Sequence, residues 1–543
     1  MEAPSHALST HAGPASPDTS HESRQRRRRS HRHRHGTSGT AERERSTRHP
    51  ADQGTSQGRH RRARSIVHSR PAAGEMIAMV AVASAIALGG GGTTNPLTET
   101  ILQPLLAVLA GLPLILPRLR IGLSAPPRST WILAFLVLIV PILQLIPLPP
   151  SLWQALPGRA AESASLALVH AGHAWMPWSM APARTFISLL AMVGPVLVLL
   201  LAAGLDQAGR TWLCITIAAM GLVSIVLGVL QLSHADGFSW SLYPYYNNGK
   251  LDGFQANHNA QADVLGIALM AFAVGCTALH QSTSRPMLVW ILAATGLTVA
   301  ALALFLTGSR TGIALMPLPM LVSAAILLPT AHGIILRAKR RIIIGLGAAG
   351  LVLTGVGSLA LARLPAIKAV FDRFNDLENT RAEIWTDTWH ALGTVWPIGG
   401  GIGSFPVLFN AAERLEVVSP IQAGRAHNDW LEWALEAGLP GIFVLVLVLG
   451  LIGLLAWQAM RITAVSPRAF MKRHRASRQG TGNSLVARAQ TLFACGTLLV
   501  LGAHALDDFP VRAMALACLA AVAVGLLTPP RLSAPETLSS PRH

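Results

Sequence analysis

The sequence predicts an all-α, polytopic membrane protein with about 12 transmembrane helices. Three observations support this fold class. Hydrophobic residues make up 51% of the 543 residues and charged residues only 13%, a balance that is too apolar for an ordinary soluble protein. Apolar runs long enough to cross a bilayer recur along the chain. Basic residues concentrate in alternate connections between those runs, as they do in proteins with many membrane spans.

A helix needs about 20 predominantly apolar residues to cross the hydrocarbon core of a bilayer. The chain contains runs of about this length, separated by more polar connections. The predicted spans are residues 75–92, 100–117, 131–148, 185–205, 211–232, 260–279, 287–307, 311–330, 341–362, 439–460, 487–505 and 510–528.

The distribution of Lys and Arg predicts how these spans are oriented. The positive-inside rule places the basic connections in the cytoplasm. These are the N-terminal tail and the connections that contain Arg118, Arg120 and Arg128, Arg210, Arg285, Arg337 to Arg341, and Arg461 to Arg488. Both termini are then cytoplasmic. The connections 93–99, 149–184, 233–259, 308–310, 363–438 and 506–509 face outward, away from the cytoplasm.

The chain therefore divides into five predicted regions. Residues 1–72 form a basic tail, 73–362 hold spans 1–9, 363–438 form a large outward loop with short helices, 439–530 hold spans 10–12, and 531–543 form a second tail. The N-terminal tail has almost no apolar residues, so we expect it to be disordered beside the anionic cytoplasmic leaflet. Metal or nucleic-acid binding by its His/Arg tract is the alternative.

The net charge of +18 does not by itself predict a nucleic-acid partner. Much of it lies in the N-terminal tail, for example at Arg26–Arg29, and the rest lies in short loops, as membrane topology requires. The four cysteines, Cys214, Cys276, Cys495 and Cys518, lie in apolar segments without the spacing of a zinc site. The outer loops contain no Asp-x-Asp pair and no His/Cys cluster. The outer loops therefore give no signal for a metal site.

Four outward elements carry unusual polar residues. They are the segment Lys250–Asn259 before span 6, the link Thr307–Gly312, the loop 363–438 with Arg381–Trp385, Gly399–Phe405 and Arg425–Trp430, and the turn His504–Arg512. Loops on a rigid scaffold are where binding and catalysis are usually placed, so these elements are the candidate site. The outer loop 149–184 gives no such signal, and its Trp153, Trp175 and Trp178 suit a membrane interface.

Two arginines in these elements are candidate anion-binding residues. Arg310 lies at the outer end of two spans joined by a very short link, where a cation is costly unless it meets a counter-ion or water. An arginine that snorkels from a helix end is the alternative. Arg381 precedes an amphipathic helix, and it either contacts a ligand or forms a salt bridge with Glu383 or Glu378.

The last part of the large loop predicts a general base. Gly399–Gly403 fails the glycine spacing of a dinucleotide-binding motif, so we expect it to turn sharply or to let backbone approach a ligand. Asp429 followed by Glu432 resembles a capping box, which predicts a helix that begins there and ends at Gly438. His427 then lies beside a helix N-terminus, where a protonated imidazole is disfavoured. A neutral histidine can act as a base, and the alternative is a histidine hydrogen-bonded to loop backbone.

The segment that follows His427 resembles the signature of the O-antigen ligase and polymerase superfamily. In that signature a His precedes Asn, Ser or Gln, nine residues, Gly, two residues, and Gly, Thr or Tyr. Here His427-Asn428 is followed by nine residues, Gly438, two residues and Gly441, at the end of a large outer loop. Over roughly residues 180–528, other segments also resemble the family: Gly253-Phe254 to Asn257 and Asn259, Ser309-Arg310, Arg381–Trp385 ahead of Pro397–Phe405, and Asp508-Phe509.

The resemblance implies a glycosyltransferase of the bacterial inner membrane that needs no metal or nucleotide. Members of the family transfer a glycan from an undecaprenyl-diphosphate carrier to an acceptor hydroxyl at the periplasmic face. Ligases use the lipid A–core saccharide as acceptor, and polymerases use the next carrier-linked repeat unit. The expected partners are this donor, a saccharide acceptor and membrane lipids, and no nucleic acid.

This chemistry assigns expected roles to the candidate residues. Arg310 and Arg381 bind the diphosphate through forked hydrogen bonds, and His427 is the base in an inverting displacement. Secondary candidates are Asn428, Glu383 and Asp508 for orientation or sugar binding, Arg425 and Lys250 for the diphosphate, and Asn257.

Three other functions are compatible with parts of this pattern. A polymerase, or a ligase for another acceptor, would carry the same sequence features. A transporter also has many spans, but it places ionisable groups near the bilayer midplane, where Asp263 near the outer end of span 6 is the main exception here. A non-enzymatic scaffold of the envelope would not explain the cations on the outward side.

Overall fold

The computed structural model describes residues 70–91, 97–233, 242–243, 249–335, 380–418, 422–464 and 478–529. The predicted ninth span, 341–362, lies outside these residues, as do almost all of the N-terminal tail and the C-terminal tail 531–543.

Helices dominate the described part of the chain. In order, they are α1 Ala73–Leu88, α2 Leu97–Ile115, α3 Arg128–Gln144, α4 Pro150–Trp153, α5 Ala160–Leu168, α6 Pro182–Gly204, α7 Gln207–Ser233, α8 His258–Ser282, α9 Pro286–Leu306, α10 Arg310–Leu315, α11 Pro317–Ile335, α12 Thr380–Val395, α13 Phe405–Ala412, α14 Asp429–Thr463, α15 Arg478–His504 and α16 Met514–Leu527. Short 3-10 helices lie at Pro117–Arg120 and Pro510–Arg512. The strands β1 Pro147–Leu148 and β2 Met176–Pro177 pair antiparallel.

These helices fit a polytopic membrane protein. Within the described residues, 8 stretches are long and apolar enough to cross a bilayer, and three shorter apolar helices, α1, α3 and α16, accompany them. Each predicted span in the described residues overlaps one of these helices. The count of twelve and the side on which each loop lies stay predictions.

Helix α8 lies at the centre of the bundle, with 83% of its apolar window buried. It packs against α7, α9, α11 and α15. Small residues allow the close approach: a Cβ atom added at Gly221 of α7 would lie 2.3 Å from the Cβ of Ala268. By contrast, only 11% of the apolar window of α14 is buried, as expected for a helix that faces lipid. The N-terminal end of α8 is therefore held from several sides.

The segment between α3 and α6 folds over the large loop. Trp153 is fully buried against other residues, so its side chain does not contact lipid as an interface tryptophan would, whereas Trp175 is exposed. The buried guanidinium of Arg159 donates to the carbonyl oxygens of Pro177 (2.9 Å) and Trp178, and it pairs with Glu162. These contacts of Arg159 fix the backbone at Pro177 and Trp178. The glycine run Gly399–Gly403 packs against this part of the chain.

Candidate active site

The site is built around one tight turn between α15 and the 3-10 helix Pro510–Arg512. The amides of Asp507 and Asp508 donate to the carbonyl oxygen of His504, at 3.0 and 2.9 Å, which bends the chain at the end of α15. The carbonyl of Asp508 accepts from the amide of Asp429, at 3.2 Å. The turn therefore lies against the beginning of α14, where the sequence predicted the general base.

His427 contacts this turn directly. Its Nδ1 lies 3.0 Å from Oδ1 of Asp508, and its ring lies edge-on to Phe509 with centroids 5.0 Å apart. Its carbonyl accepts from the indole Nε1 of Trp385, at 3.3 Å. The backbone of His427 has φ +50°, a left-handed conformation that is uncommon for residues other than glycine. These contacts hold the residue in that conformation, and its side chain stays 32% exposed.

Asp508 determines which nitrogen of His427 carries the proton. Burial alone would raise the pKa of Asp508, but the hydrogen bond with His427 and the charges of His427, Arg381 and His504 lower it to about 2. An ionised carboxylate only accepts hydrogen bonds, so neutral His427 donates from Nδ1 and keeps a lone pair on Nε2. Nε2 has no hydrogen-bond partner among the described residues.

Arg381 is held by the same turn. Its Nη1 donates to the carbonyl oxygen of Asp507, at 2.7 Å, and forms an ion pair with the Asp507 carboxylate. A local salt bridge to Glu383, one of the two alternatives that the sequence left open, does not form: within the part of the chain that is described, Glu383 is exposed at the start of α12 and pairs with no cation. Glu378 lies outside that part. A contact between residues far apart in sequence thus places Arg381 at the site.

Arg310 is the first residue of α10, and the next residue, Thr311, contacts the same aspartate. Gly308, with φ +65°, makes the tight link after α9, and Ser309 caps α10 by accepting from the amide of Gly312 at 3.0 Å. The hydroxyl of Thr311 bonds to Oδ2 of Asp507. The Arg310 side chain is exposed and forms no ion pair with any residue described here. Arg381, His427 and Thr311, the neighbour of Arg310, therefore contact one turn.

A chain of hydrogen bonds joins the histidine to the helix of Arg310. Oδ2 of Asp508 accepts from Nδ2 of Asn259, at 2.6 Å, and Oδ1 of Asn259 accepts from the hydroxyl of Ser309, at 2.7 Å. Sequence reasoning did not select Asn259, although it belongs to the segment that resembles the family. Its neighbour Asn257 caps α8 by accepting from the amide of Asn259 at 2.8 Å, and lines a cleft with Asp508.

The other secondary candidates have structural contacts. Asn428, and not Asp429, caps α14, because its Oδ1 accepts from the amide of Leu431 at 3.0 Å. The helix begins at Asp429 as predicted, one residue after its cap. Arg425 donates to the fully buried Glu432, at 2.9 Å, so its guanidinium is already paired. Lys250 is half-buried in the turn before α8.

A buried cluster of charges that the sequence did not reveal supports the start of α14. Arg512 contacts the carboxylates of Asp429, Glu432 and Glu436, at 3.2, 3.4 and 3.0 Å. The opposing carboxylates hold the pKa of Arg512 above its usual value, despite its burial. Arg512 belongs to the outward turn His504–Arg512, but nothing along the chain indicated its partners.

The glycine run completes this support. The amides of Gly400 and Gly401 donate to the carbonyls of Leu435 and Glu436, at 3.0 and 2.8 Å, and the amide of Gly403 donates to the Glu436 carboxylate. Gly438 has φ +58° and kinks α14 where the sequence predicted a helix end, and a Cβ there would lie 2.4 Å from the backbone of Ile398. The close approach predicted for the run is thus made to another part of the chain.

The described residues contain no group of three or more His, Cys, Asp or Glu side chains placed to hold a metal ion. The O-antigen ligase family model matches residues 294–446, a stretch that includes Arg310, Arg381 and His427. This match confirms the family resemblance that the sequence motifs indicated. No curated protein matches the chain.

Proposed function

From membership of the O-antigen ligase superfamily, supported by the match over residues 294–446, we propose that this protein transfers a glycan from an undecaprenyl-diphosphate carrier to an acceptor hydroxyl at the periplasmic face of the inner membrane. The observation that carries the proposal is the turn Asp507–Asp508, which contacts His427 and Arg381 and the residue next to Arg310. Two cations for a diphosphate and a base for a hydroxyl then lie around one point.

His427 is the general base in this proposal. Nε2 takes the proton of the acceptor hydroxyl while that oxygen attacks the anomeric carbon of the donor sugar. The bond from that carbon to the diphosphate oxygen breaks, and the diphosphate leaves with the electron pair. One displacement inverts the anomeric configuration. A positioned base of this kind contributes roughly 100- to 10,000-fold in rate.

The two arginines stabilise the leaving group. Cleavage adds negative charge to the diphosphate, so cations beside it bind the transition state more strongly than the intact donor. Arg310 offers an exposed fork of N–H donors. Arg381 uses Nη1 on Asp507, which orients its planar guanidinium and leaves other N–H groups for phosphate oxygens.

The helices beside Arg310 suit a lipid-linked donor. The apolar windows of α9 and of the α10–α11 stretch are only 22% and 28% buried, so these helices present apolar side chains outward. In a bilayer such surfaces face acyl chains. We place the polyprenyl chain of the donor along them, which brings its diphosphate to Arg310 at the end of the pair.

The test is transfer of a lipid-linked glycan by membranes that contain His427→Ala or Arg310→Ala. Both variants should accumulate normally and lose transfer, by about 100-fold or more for the base. His390→Ala and Arg285→Ala are matched controls, because both side chains are exposed and lie outside the site. Undiminished transfer in both site variants would refute the assignment.

We propose a ligase over a polymerase, and a deletion strain separates the two. Loss of a ligase leaves full-length glycan on the carrier, whereas loss of a polymerase leaves acceptors that bear a single repeat unit. Gel profiles of the surface glycan and of the carrier lipid report both outcomes.

A further inference from the structure

A second His–Asp pair lies beneath the site, and the chemistry described above does not use it. Nδ1 of His504, at the end of α15, lies 2.7 Å from Oδ1 of Asp263 on α8, and the two side chains are 1% and 2% exposed. Within the described residues, Nε2 of His504 and Oδ2 of Asp263 have no hydrogen-bond partner. Two ionisable side chains buried with unpartnered atoms are costly, so stability alone does not account for them.

The pair contacts the segment that leads into the turn Asp507–Asp508. His504 is the residue whose carbonyl accepts from the amides of Asp507 and Asp508, at 3.0 and 2.9 Å. Asp263 lies one helical turn after Asn259 on α8, and Asn259 donates to Asp508 at 2.6 Å. Helix α8 therefore contacts both ends of the segment 504–508: Asp263 is paired with His504, and Asn259 is hydrogen-bonded to Asp508.

The turn lies beside a small cleft. The cleft is lined by Asn257, Asp263, His504, Asp508, Phe509 and Pro510, among others. The hydrogen bonds of Asp508 with Asn259 and His427 depend on where α8 and the end of α15 hold the turn. A 1 Å displacement of Asp508 would change its contact with His427, and misplacements of this size can cost about 100-fold in rate.

We propose that Asp263 and His504 form a positioning pair that sets Asp508 against His427, and this inference rests on the proposed function. Neither residue touches substrate. Their effect reaches the reaction through the turn, because Asp508 fixes the tautomer and the orientation of the base.

The test compares Asp263→Leu with Asp263→Asn. Asparagine keeps an oxygen that accepts from Nδ1 of His504, whereas leucine removes it. Asp263→Leu should lower kcat about 100-fold with a smaller change in the KM for the donor, and Asp263→Asn should restore most of the rate. Thr277→Val on the same helix is the matched control, because Thr277 is equally buried and bonds only to its own helix, at the Ala273 carbonyl.

The double variant distinguishes positioning from general damage, because two residues that act through the same contact do not contribute independently. Combined with Asp508→Asn, Asp263→Leu should add little further loss.

An unchanged kcat in Asp263→Leu, or a loss that is fully additive with the loss in Asp508→Asn, would overturn the positioning role. If Asp263→Leu does not accumulate, His504→Asn, which keeps a donor, and His504→Leu, which does not, provide the same comparison. Retained transfer in His427→Ala and Arg310→Ala would instead refute the proposed function. Loss in those variants with normal Asp263→Leu would refute the positioning pair alone.

Discussion

Replacing Asp508 with Asn is the most direct test of the proposed base. Asp508 accepts two hydrogen bonds, from Nδ1 of His427 at 3.0 Å and from Nδ2 of Asn259 at 2.6 Å. Asparagine has a single acceptor oxygen, so it can satisfy only one of these donors. If its NH₂ group faces His427, the imidazole must present the Nδ1 lone pair and carry its proton on Nε2. The nitrogen that should accept the hydroxyl proton is then blocked.

The structure provides a magnitude for the electrostatic part of this change. The hydrogen bond and charges around Asp508 lower its pKa from 3.8 to about 2, although burial acts in the opposite direction. A difference of this size corresponds to about 2 kcal/mol in favour of the ionised form. Because the pKa is lowered by folding, this stabilisation is complete above pH 4 and is lost as the pH falls towards 2. Asparagine carries no charge, so the variant loses this stabilisation of the ionised form.

The expected loss of activity is larger than the loss of stability. A histidine in the wrong tautomer cannot accept the hydroxyl proton and loses most of the rate enhancement of general-base catalysis. We therefore expect kcat to fall about 100- to 10,000-fold. The assay is single-turnover transfer with purified protein and a lipid-linked glycan. The neighbouring substitution Asp507→Asn is the matched control, because Asp507 contacts Arg381 and Thr311 and not His427. It should act mainly on donor binding.

Wild-type kcat in Asp508→Asn, measured on protein that accumulates normally, would refute the role of Asp508 and weaken that of His427. Equal effects of the two substitutions on kcat and on donor KM would show that the turn acts as a unit. Separate roles for the two aspartates would then be wrong.

Two further predictions concern the framework that holds the site. Gly438→Ala should destabilise the protein by about 1–3 kcal/mol or more, because φ is +58° and the new Cβ would lie 2.4 Å from the backbone of Ile398. Gly450→Ala in the same helix is its control, since a Cβ there meets nothing within 4 Å. The measurement is the midpoint of thermal unfolding in detergent. An equal decrease of this midpoint in both variants would contradict the reasoning. Arg512→Leu should cost about 3–5 kcal/mol, because it leaves the buried carboxylates of α14 without their shared cation. Normal accumulation and unfolding of this variant would show that the cluster is not needed for stability.

Much of the fold followed from patterns that act locally along the chain. Apolar runs of bilayer length predicted the spans, because the hydrocarbon core sets the length of a helix that crosses it. The start of α14 at Asp429 and its interruption at Gly438 also followed from local signals. The cap was displaced by one residue, to Asn428, since the backbone angles of the final residues decide which side chain reaches the free amides.

The tertiary structure alone decided the partners of the site residues. Asp508 meets His427 and Asn259 across 81 and 249 positions of sequence, and Asp263 meets His504 across 241. Arg381 pairs with Asp507 and not with the nearby Glu383. Residue periodicity constrains neighbours within a few turns of one helix, whereas these contacts depend on which helices pack together and at what height. The sequence by itself therefore determined which side chains were available for chemistry, and the packing of α8, α14 and α15 determined which of them meet.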